Sequence, residues 1–395
     1  MHINKKTFCI HPFTSISTSA SDQYMNCCMS SQLIKKEDSS LYRPSTDTMQ
    51  AAFDSPFMDN LRASIKNGIK HKNCELCWEE EASGKDSKRI RDSSQYLDSK
   101  KSAPITHTLK SVDLKLGNLC NLKCRICNPW NSSKWVDEWH ALRAATEDKK
   151  EYAKQFAVIR KMWNPDQNIW DGLREILPGI EHMDLYGGEP LLIENMWNIL
   201  QHSVDKGYAG KQTIHYNTNG SIVPTNEQLE IWSNFKSIDI QVSVDDIGAR
   251  HHYQRHPSQW DDVKRNIDKF KQYQWIRLST NATVSNFNIY YLDEITNEIT
   301  KNIGVPIWYN MLHRPAEISI EALSPEIKKI LVAKLGYLKS EQPDIESVLN
   351  LVASKPDSGK IITFLQQVAE QDAYRNESFE TTFPEWYAIL KQHYL

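Results

Sequence analysis

The chain has 395 residues, of which 40% are hydrophobic and 25% charged, with a formal net charge of −3. That composition belongs to a soluble globular protein with enough chain for two or three domains and a sizeable core. The near-neutral balance excludes a strongly basic nucleic-acid binder, and no apolar run approaches the roughly 18 residues that cross a bilayer. The opening segment, MHINKKTFCIHPF, has no apolar run of signal-peptide length, so a cytoplasmic location is expected.

Taken in chain order, residues 1–103 form a first region holding Cys9, Cys27, Cys28, Cys74 and Cys77. Its end, GKDSKRIRDSSQYLDSKKSAP, is polar throughout and reads as a surface linker. Residues 104–315 alternate strand-like and helix-like stretches, with strands expected at 111–118, 182–189, 212–220, 237–246, 276–284 and 305–313. Such alternation implies parallel βα units and an α/β fold. Six units suit a partial (β/α)6 TIM-like barrel, with function at the C-terminal strand ends. The first connection, 128–181, is long and holds Trp130, Trp135, Trp139, Trp163 and Trp170, which predicts a helical insertion on the barrel or a substrate wall. Residues 316–395 read as a helical C-terminal extension carrying no motif.

All eight cysteines fall in the first 127 residues at short spacings. In a reducing compartment this favours metal or iron–sulfur ligation over disulfides. Directly after the first barrel strand comes GNLCNLKCRICNPW, with Cys120, Cys124 and Cys127 in a C-x3-C-x2-C run. Three thiolates this close must wrap a loop around one centre. A four-iron cubane held by three cysteines keeps one iron open, whereas a closed zinc site would need a fourth ligand, and no histidine follows before His140.

The run resembles the signature of the radical SAM superfamily, and the resemblance extends through the middle region. It implies that a [4Fe–4S] cluster on Cys120, Cys124 and Cys127 binds S-adenosylmethionine at its open iron. Reductive cleavage would then give a 5′-deoxyadenosyl radical that abstracts a substrate hydrogen, making the chain an oxidoreductase-like enzyme. The residue before the last cysteine is Ile126 where the family usually has an aromatic.

The second strand ends in YGGEP, where two glycines admit a close ligand and a carboxylate can take an ammonium. This is similar to the family's GGEP motif, which implies that Gly187, Gly188, Glu189 and Pro190 bind the methionyl amino group. NTNG and SVDD close the third and fourth strands. They resemble the polar strand-end positions of the family near the ribose and carboxylate, here Asn217, Asn219, Ser243 and Asp245, with Asn281 on the fifth strand. Short polar residues at strand ends also serve as caps and turns. His313, after the sixth strand, reads as structural, with a place near the adenine or the substrate as the alternative.

In the first region, Cys74 and Cys77 in C-x2-C, with two distant cysteines, give four thiolates for zinc or a second [4Fe–4S] cluster. The pattern resembles the SPASM or twitch module of radical SAM enzymes. That resemblance implies an auxiliary cluster on Cys9, Cys27, Cys74 and Cys77, with Cys28 as the adjacent extra thiol. In the family the module follows the barrel, whereas here it precedes it. Asp22 stands where the hairpin glycine is expected, a residue that tolerates left-handed backbone better than most.

The resemblance implies oxidative modification of a peptide or protein, with an electron donor such as flavodoxin or ferredoxin. A small-molecule substrate such as an aminosugar or nucleotide is the alternative reading. A third is a non-catalytic, zinc-bound binding module. No nucleic-acid or membrane partner is expected.

Overall fold

The computed structural model describes residues 6–82, 84, 86–99, 107–144, 148–160, 167–342, 344–353 and 359–394. The chain forms two compact units. The first is Met1–Leu119, Met162–Tyr216 and Pro224–Asp239, and the second is Cys120–Lys161, Asn217–Val223 and Ile240–Leu395.

Eight strands are ordered β2-β1-β3-β4-β5-β6-β7-β8. They are β1 (Ser15–Thr18), β2 (Tyr24–Met25), β3 (Ser111–Lys115), β4 (His182–Tyr186), β5 (Thr213–Thr218), β6 (Ser237–Ser243), β7 (Ile276–Val284) and β8 (Ile307–Met311). The last six match the strands expected from alternation, and β5 and β6 each contribute residues to both units. Pairing is parallel in β1/β3, β3/β4, β4/β5 and β7/β8, and antiparallel only in the β1/β2 hairpin among the described pairs. The fold is α/β with a mostly parallel sheet.

Period-two patterning gives the strands of the first unit two unlike faces. Met183, Leu185, Ile214, Tyr216 and Ile238 are fully buried or nearly so. They sit on the side of Trp197 and Trp232, whose rings lie 5.3 Å apart, with Trp232 Nε1 donating to Tyr216 Oη at 3.1 Å. Each such side chain contributes about 1.5–3 kcal/mol through removal from water. The opposite face is polar. Ser17, Asp113, Asp184 and His215 stand in register across β1, β3, β4 and β5. Ser17 Oγ donates to Asp113 at 3.2 Å, and Asp184 takes His182 Nε2 at 3.1 Å and His215 Nδ1 at 2.9 Å.

Two features of the first region depart from the local sequence signal. The hairpin does not stand apart from the barrel: β1 extends the sheet as a parallel neighbour of β3. The polar stretch expected to be a surface linker instead folds in part as the helix Lys88–Ser99, and its tail falls outside the described residues. Ser87, Arg89 and Ser93 are buried there, because Arg89 donates to Phe8 O at 2.7 Å and to both Glu81 carboxylate oxygens, while Ser93 Oγ accepts from Ile10 N at 3.1 Å. At the hairpin turn Asp22 adopts φ 57°, and its carboxylate accepts from Ser45 N and Ser45 Oγ. Those bonds offset the cost of a left-handed non-glycine residue.

In the second unit the C-terminal extension is helical and belongs to the core. Its helices include Pro325–Leu335, Ile345–Val352, Lys360–Arg375 and Pro384–Tyr394. Trp386 is fully buried, stacks on Tyr290 at 5.5 Å and donates to Asn286 O at 2.7 Å. Among the described residues no helix is long and apolar enough to cross a membrane.

Candidate active site

The three-cysteine loop leaves β3 and lies wholly in the second unit. Cys120 is buried, and Cys124 and Cys127 are half-buried. Leu122 N donates to Cys120 Sγ at 3.4 Å, and Cys127 N to Cys124 O at 2.9 Å, so the chain turns back on itself between the thiols. Burial pushes the Cys124 thiol up to about 11, with the Cys120 thiol adding to the rise and Arg255 opposing it. The Cys127 thiol rises to about 12, chiefly from burial and then from Cys124 and Cys120. Two thiols raised by burial, with Cys120 adding to the rise of both, form with it a donor set suited to a cation that neutralises them on binding.

Everything around this loop is braced. Lys123 N donates to His256 O at 2.8 Å and Arg125 N to Gln254 O at 2.7 Å, so the loop runs antiparallel to Gln254–His256. The Arg125 side chain is fully enclosed. It lies 3.6 Å from the Tyr253 ring, donates to Tyr253 O, and pairs through Nη2 with Asp372 and Glu377, each at 2.6 Å. Arg375 pairs with buried Glu138 and donates to Lys123 O at 2.8 Å. The segment Gln371–Glu377 of the extension is therefore a strap across the cysteine loop. His252, His256 and Glu377 come within metal-ligating distance of one another. Glu377 is already taken by Arg125 and, at 2.8 Å, by His256 Nδ1, so this trio is part of the strap.

The tryptophan-rich insertion packs against the same loop. Trp135, Trp139 and Ile159 form a buried cluster with Cys127, Trp130, Tyr152 and Phe156 on its edge, and Trp135 Nε1 donates to Cys124 O at 2.8 Å. A cleft of about 200 Å³ beside Cys127 is lined by Ile126, Trp130, Trp139, Glu317 and Glu370, among others. The part of the insertion between Trp130 and Ile159 thus packs on the loop and lines this cleft, whereas Trp170 is buried in the first unit. Trp163 lies outside the described residues.

In the first unit the GGEP segment is folded onto the residues that lead into Cys120. Gly187 (φ 92°) and Gly188 (φ 60°) leave no room for a side chain. A Cβ on Gly187 would lie 2.6 Å from Lys115 Cγ, and one on Gly188 only 2.1 Å from Leu119 O. Glu189 N donates to Leu119 O at 2.7 Å, and the buried Glu189 carboxylate accepts from Leu191 N at 3.2 Å. Pro190 is buried at the start of the short turn that follows. Glycine is required here because backbone meets backbone.

The remaining expected residues separate into two groups, all in the second unit. Asn217, Ser243 and Asn281 are half-buried on the polar faces of their strands. Asn219 and Asp245 are buried and already bonded. Asn219 Nδ2 donates to Asn121 Oδ1 at 2.9 Å and approaches Cys120 Sγ at 4.0 Å. Asp245 accepts from Thr283 N at 2.9 Å and pairs with Arg255. His313 is exposed beside Glu321 at 3.4 Å.

The N-terminal cysteines converge within the first unit. One small pocket is lined by Cys9, Cys27, Cys74 and Cys77 together with His11, Lys88 and Arg89. Burial raises the Cys9 thiol well above its ordinary value, and Cys27, Cys74 and Cys77 add to the rise. Cys74 rises to about 11 by burial and by Cys77. Cys28 points elsewhere: burial raises it, and its next influences are Asp113 and Lys88.

Residues 114–299 match the family model of the Radical SAM superfamily. Over these residues the chain carries a radical SAM domain. Among solved structures, anSMEcpe with bound AdoMet is 15% identical with a TM-score of 0.40, the match covering 59% of this chain and 60% of that one. SuiB of Streptococcus suis bound to S-adenosylmethionine is 12% identical with a TM-score of 0.36, covering 76% of this chain and 67% of that one. SuiB bound to the precursor peptide SuiA gives 13% and 0.36, with 76% and 58% covered. The chain thus spans about 60% of the first of these proteins. No curated protein sequence matches it.

Proposed function

We propose that Cys120, Cys124 and Cys127 hold a [4Fe–4S] cluster that binds S-adenosylmethionine, and that the enzyme oxidatively modifies a peptide or protein. The observation that carries this is the donor set: three desolvated thiols on one loop whose leading residues are clasped by Gly187, Gly188 and Glu189. When bound, the cluster supplies the electron that cleaves S-adenosylmethionine to the hydrogen-abstracting 5′-deoxyadenosyl radical. The chain's own part is to bind, orient and exclude water. Glycine backbone at 187 and 188 admits the methionyl group closely, and the Glu189 carboxylate takes its ammonium. Asn217, Ser243 and Asn281 offer half-buried polar groups to the rest of the cofactor, while the tryptophan wall at Cys127 keeps water from the loop.

Cys9, Cys27, Cys74 and Cys77 are the ligands of an auxiliary [4Fe–4S] cluster in this reading, within a module spanning residues 1–103. Four buried thiols beside half-buried Lys88 and buried Arg89 support it, since a closed set leaves no open position for a substrate atom. The barrel spans 104–315 and the extension 316–395. A soluble one-electron donor such as flavodoxin or ferredoxin would serve the enzyme in the cytoplasm. Anaerobic reconstitution with iron and sulfide should give about eight irons per chain, and reduction with S-adenosylmethionine should give 5′-deoxyadenosine. About four irons plus one zinc would sink the auxiliary cluster, and absence of 5′-deoxyadenosine would sink the central reading. A neighbouring reading frame for a short precursor peptide would distinguish a peptide from a small-molecule substrate.

A further inference from the structure

Cys124 has a partner that the motifs do not announce. The two backbone bonds Lys123 N to His256 O and Arg125 N to Gln254 O flank one residue on each chain. Those residues are Cys124 and Arg255. In antiparallel pairing, residues enclosed between two such bonds face one another at close range, with side chains on the same side. Arg255 is 7% exposed, and its guanidinium pairs on one side through Nη1 with Asp245 at 2.5 Å. Among the described residues its Nε has no hydrogen-bond partner. A buried guanidinium N–H without an acceptor is costly and calls for an explanation.

We infer that Arg255 is a positioning residue for the cysteine loop, holding a fixed positive charge and a spare N–H donor against the Cys124 side of the cluster and so raising its reduction potential. The inference rests on the reading of the loop as a cluster site. Reduction adds one negative charge to the cluster, and a desolvated cation beside it favours the reduced form. Asp245 takes Nη1 and offsets part of the charge, but it leaves Nε without an acceptor among the described residues. The carboxylate also aims the guanidinium, because its other oxygen is fixed by Thr283 N and its backbone carbonyl by Asn288 Nδ2 at 2.9 Å. Arg375 also stands at the loop, with two of its nitrogens committed to Glu138 and Lys123 O and its Nη1 likewise without an acceptor among the described residues.

The test compares wild type, Arg255→Gln and Arg255→Lys after anaerobic reconstitution. Iron content, S-adenosylmethionine affinity and the midpoint of the loop cluster are measured, the last by redox titration followed by electron paramagnetic resonance without S-adenosylmethionine. The expected result is a midpoint more negative in Arg255→Gln than in wild type and close to wild type in Arg255→Lys. If Arg255→Gln holds fewer irons, Arg255→Lys carries the test and should restore both iron content and midpoint. Equal midpoints in all three proteins overturn the inference. So does an equal displacement in both variants, or failure of both to hold the cluster, since shape rather than charge is then at stake. A loss of S-adenosylmethionine affinity in Arg255→Gln with an unmoved midpoint also overturns it, by making the side chain a ligand of the cofactor. A wild-type chain that binds no iron on the loop would instead refute the proposed function.

Discussion

The two cysteine sites are held by opposite means. In the N-terminal pocket the four thiols come from three separated stretches, at 9, 27 and 74–77, so the fold of the first unit itself brings them together. In the loop all three come from eight consecutive residues, 120–127. Local chain alone cannot hold such a loop open on one side, and the second unit supplies the bracing. Arg125 reaches Asp372, 247 residues along, and Glu377, 252 residues along, while Arg375 closes on Glu138. The N-terminal set is gathered by the fold, whereas the loop is fixed by ion pairs with the C-terminal extension.

The largest effects should separate the sites cleanly. Replacing Cys120, Cys124 and Cys127 together by alanine should abolish 5′-deoxyadenosine formation and remove about four of about eight irons. Replacing Cys9 and Cys77 should remove the other irons, and Cys28→Ala should retain all of them. Loss of iron from Cys28→Ala comparable to that from Cys27→Ala would break the assignment of the pocket. Next is Arg125→Ala, which removes the guanidinium that Asp372 and Glu377 share and leaves them with His256, Tyr253 Oη and Phe379 N. Breaking a buried pair in this way costs about 3–5 kcal/mol. Chemical denaturation should show the loss, and iron should leave the three-cysteine loop while the N-terminal pocket keeps its own. Unchanged iron at both sites would show that the strap does not hold the loop.

Much of this was legible because it is written locally. Alternation located all six barrel strands, and short-range spacing located the C-x3-C-x2-C loop, GGEP and the C-x2-C pair. What escaped is long-range. Nothing in SISTSASDQYM indicates that β1 pairs with β3 in parallel, since pairing between Ser17 and Asp113 is a tertiary fact. The stretch read as a linker is polar by composition, yet Arg89 and Ser93 are drawn inside by backbone partners at Phe8 and Ile10. The extension bears no motif because its contribution lies in single acids and one arginine. Arg255 left one faint signal, a charged residue in HHYQRHP beside the fourth strand end, but only the pairing with Cys124 gives it meaning.

Gly188→Ala probes the clasp on the entry to the loop with a smaller effect. The new methyl group would meet Leu119 O, a backbone atom that cannot swing aside, at a left-handed φ of 60°. Strain of about 1–3 kcal/mol is expected, enough to weaken S-adenosylmethionine binding about tenfold or more. Iron content should hold, which separates this variant from Arg125→Ala. Equilibrium binding to the reconstituted, oxidised protein measures the change. An affinity equal to wild type would mean that the clasp shapes the backbone without serving the cofactor.

Acid distinguishes the two units most gently. In the second unit, burial pushes His251 down to about 3, with Arg255 next in opposing its protonation. Its ring bonds Asp246 O at 3.1 Å and Ser258 Oγ at 3.0 Å in the neutral form. Between pH 6.5 and about 3 the unfolded chain binds a proton there and the folded chain does not. The second unit therefore loses stability as pH falls through that window, by up to about 1.4 kcal/mol per pH unit. In the first unit His182 runs the other way. Burial lowers its pKa, but the hydrogen bond and charge of Asp184 outweigh burial and raise it. Its contribution is full below pH 6.5 and is lost as pH rises through the folded value. Hydrogen exchange at pH 7 and pH 5 should show protection falling in Gly248–Phe270 of the second unit and holding in His182–Tyr186 of the first. His251→Gln should flatten the dependence in the second unit alone. Equal acid sensitivity of both segments, or a slope that survives His251→Gln, would place the difference between the units elsewhere than in these two histidines.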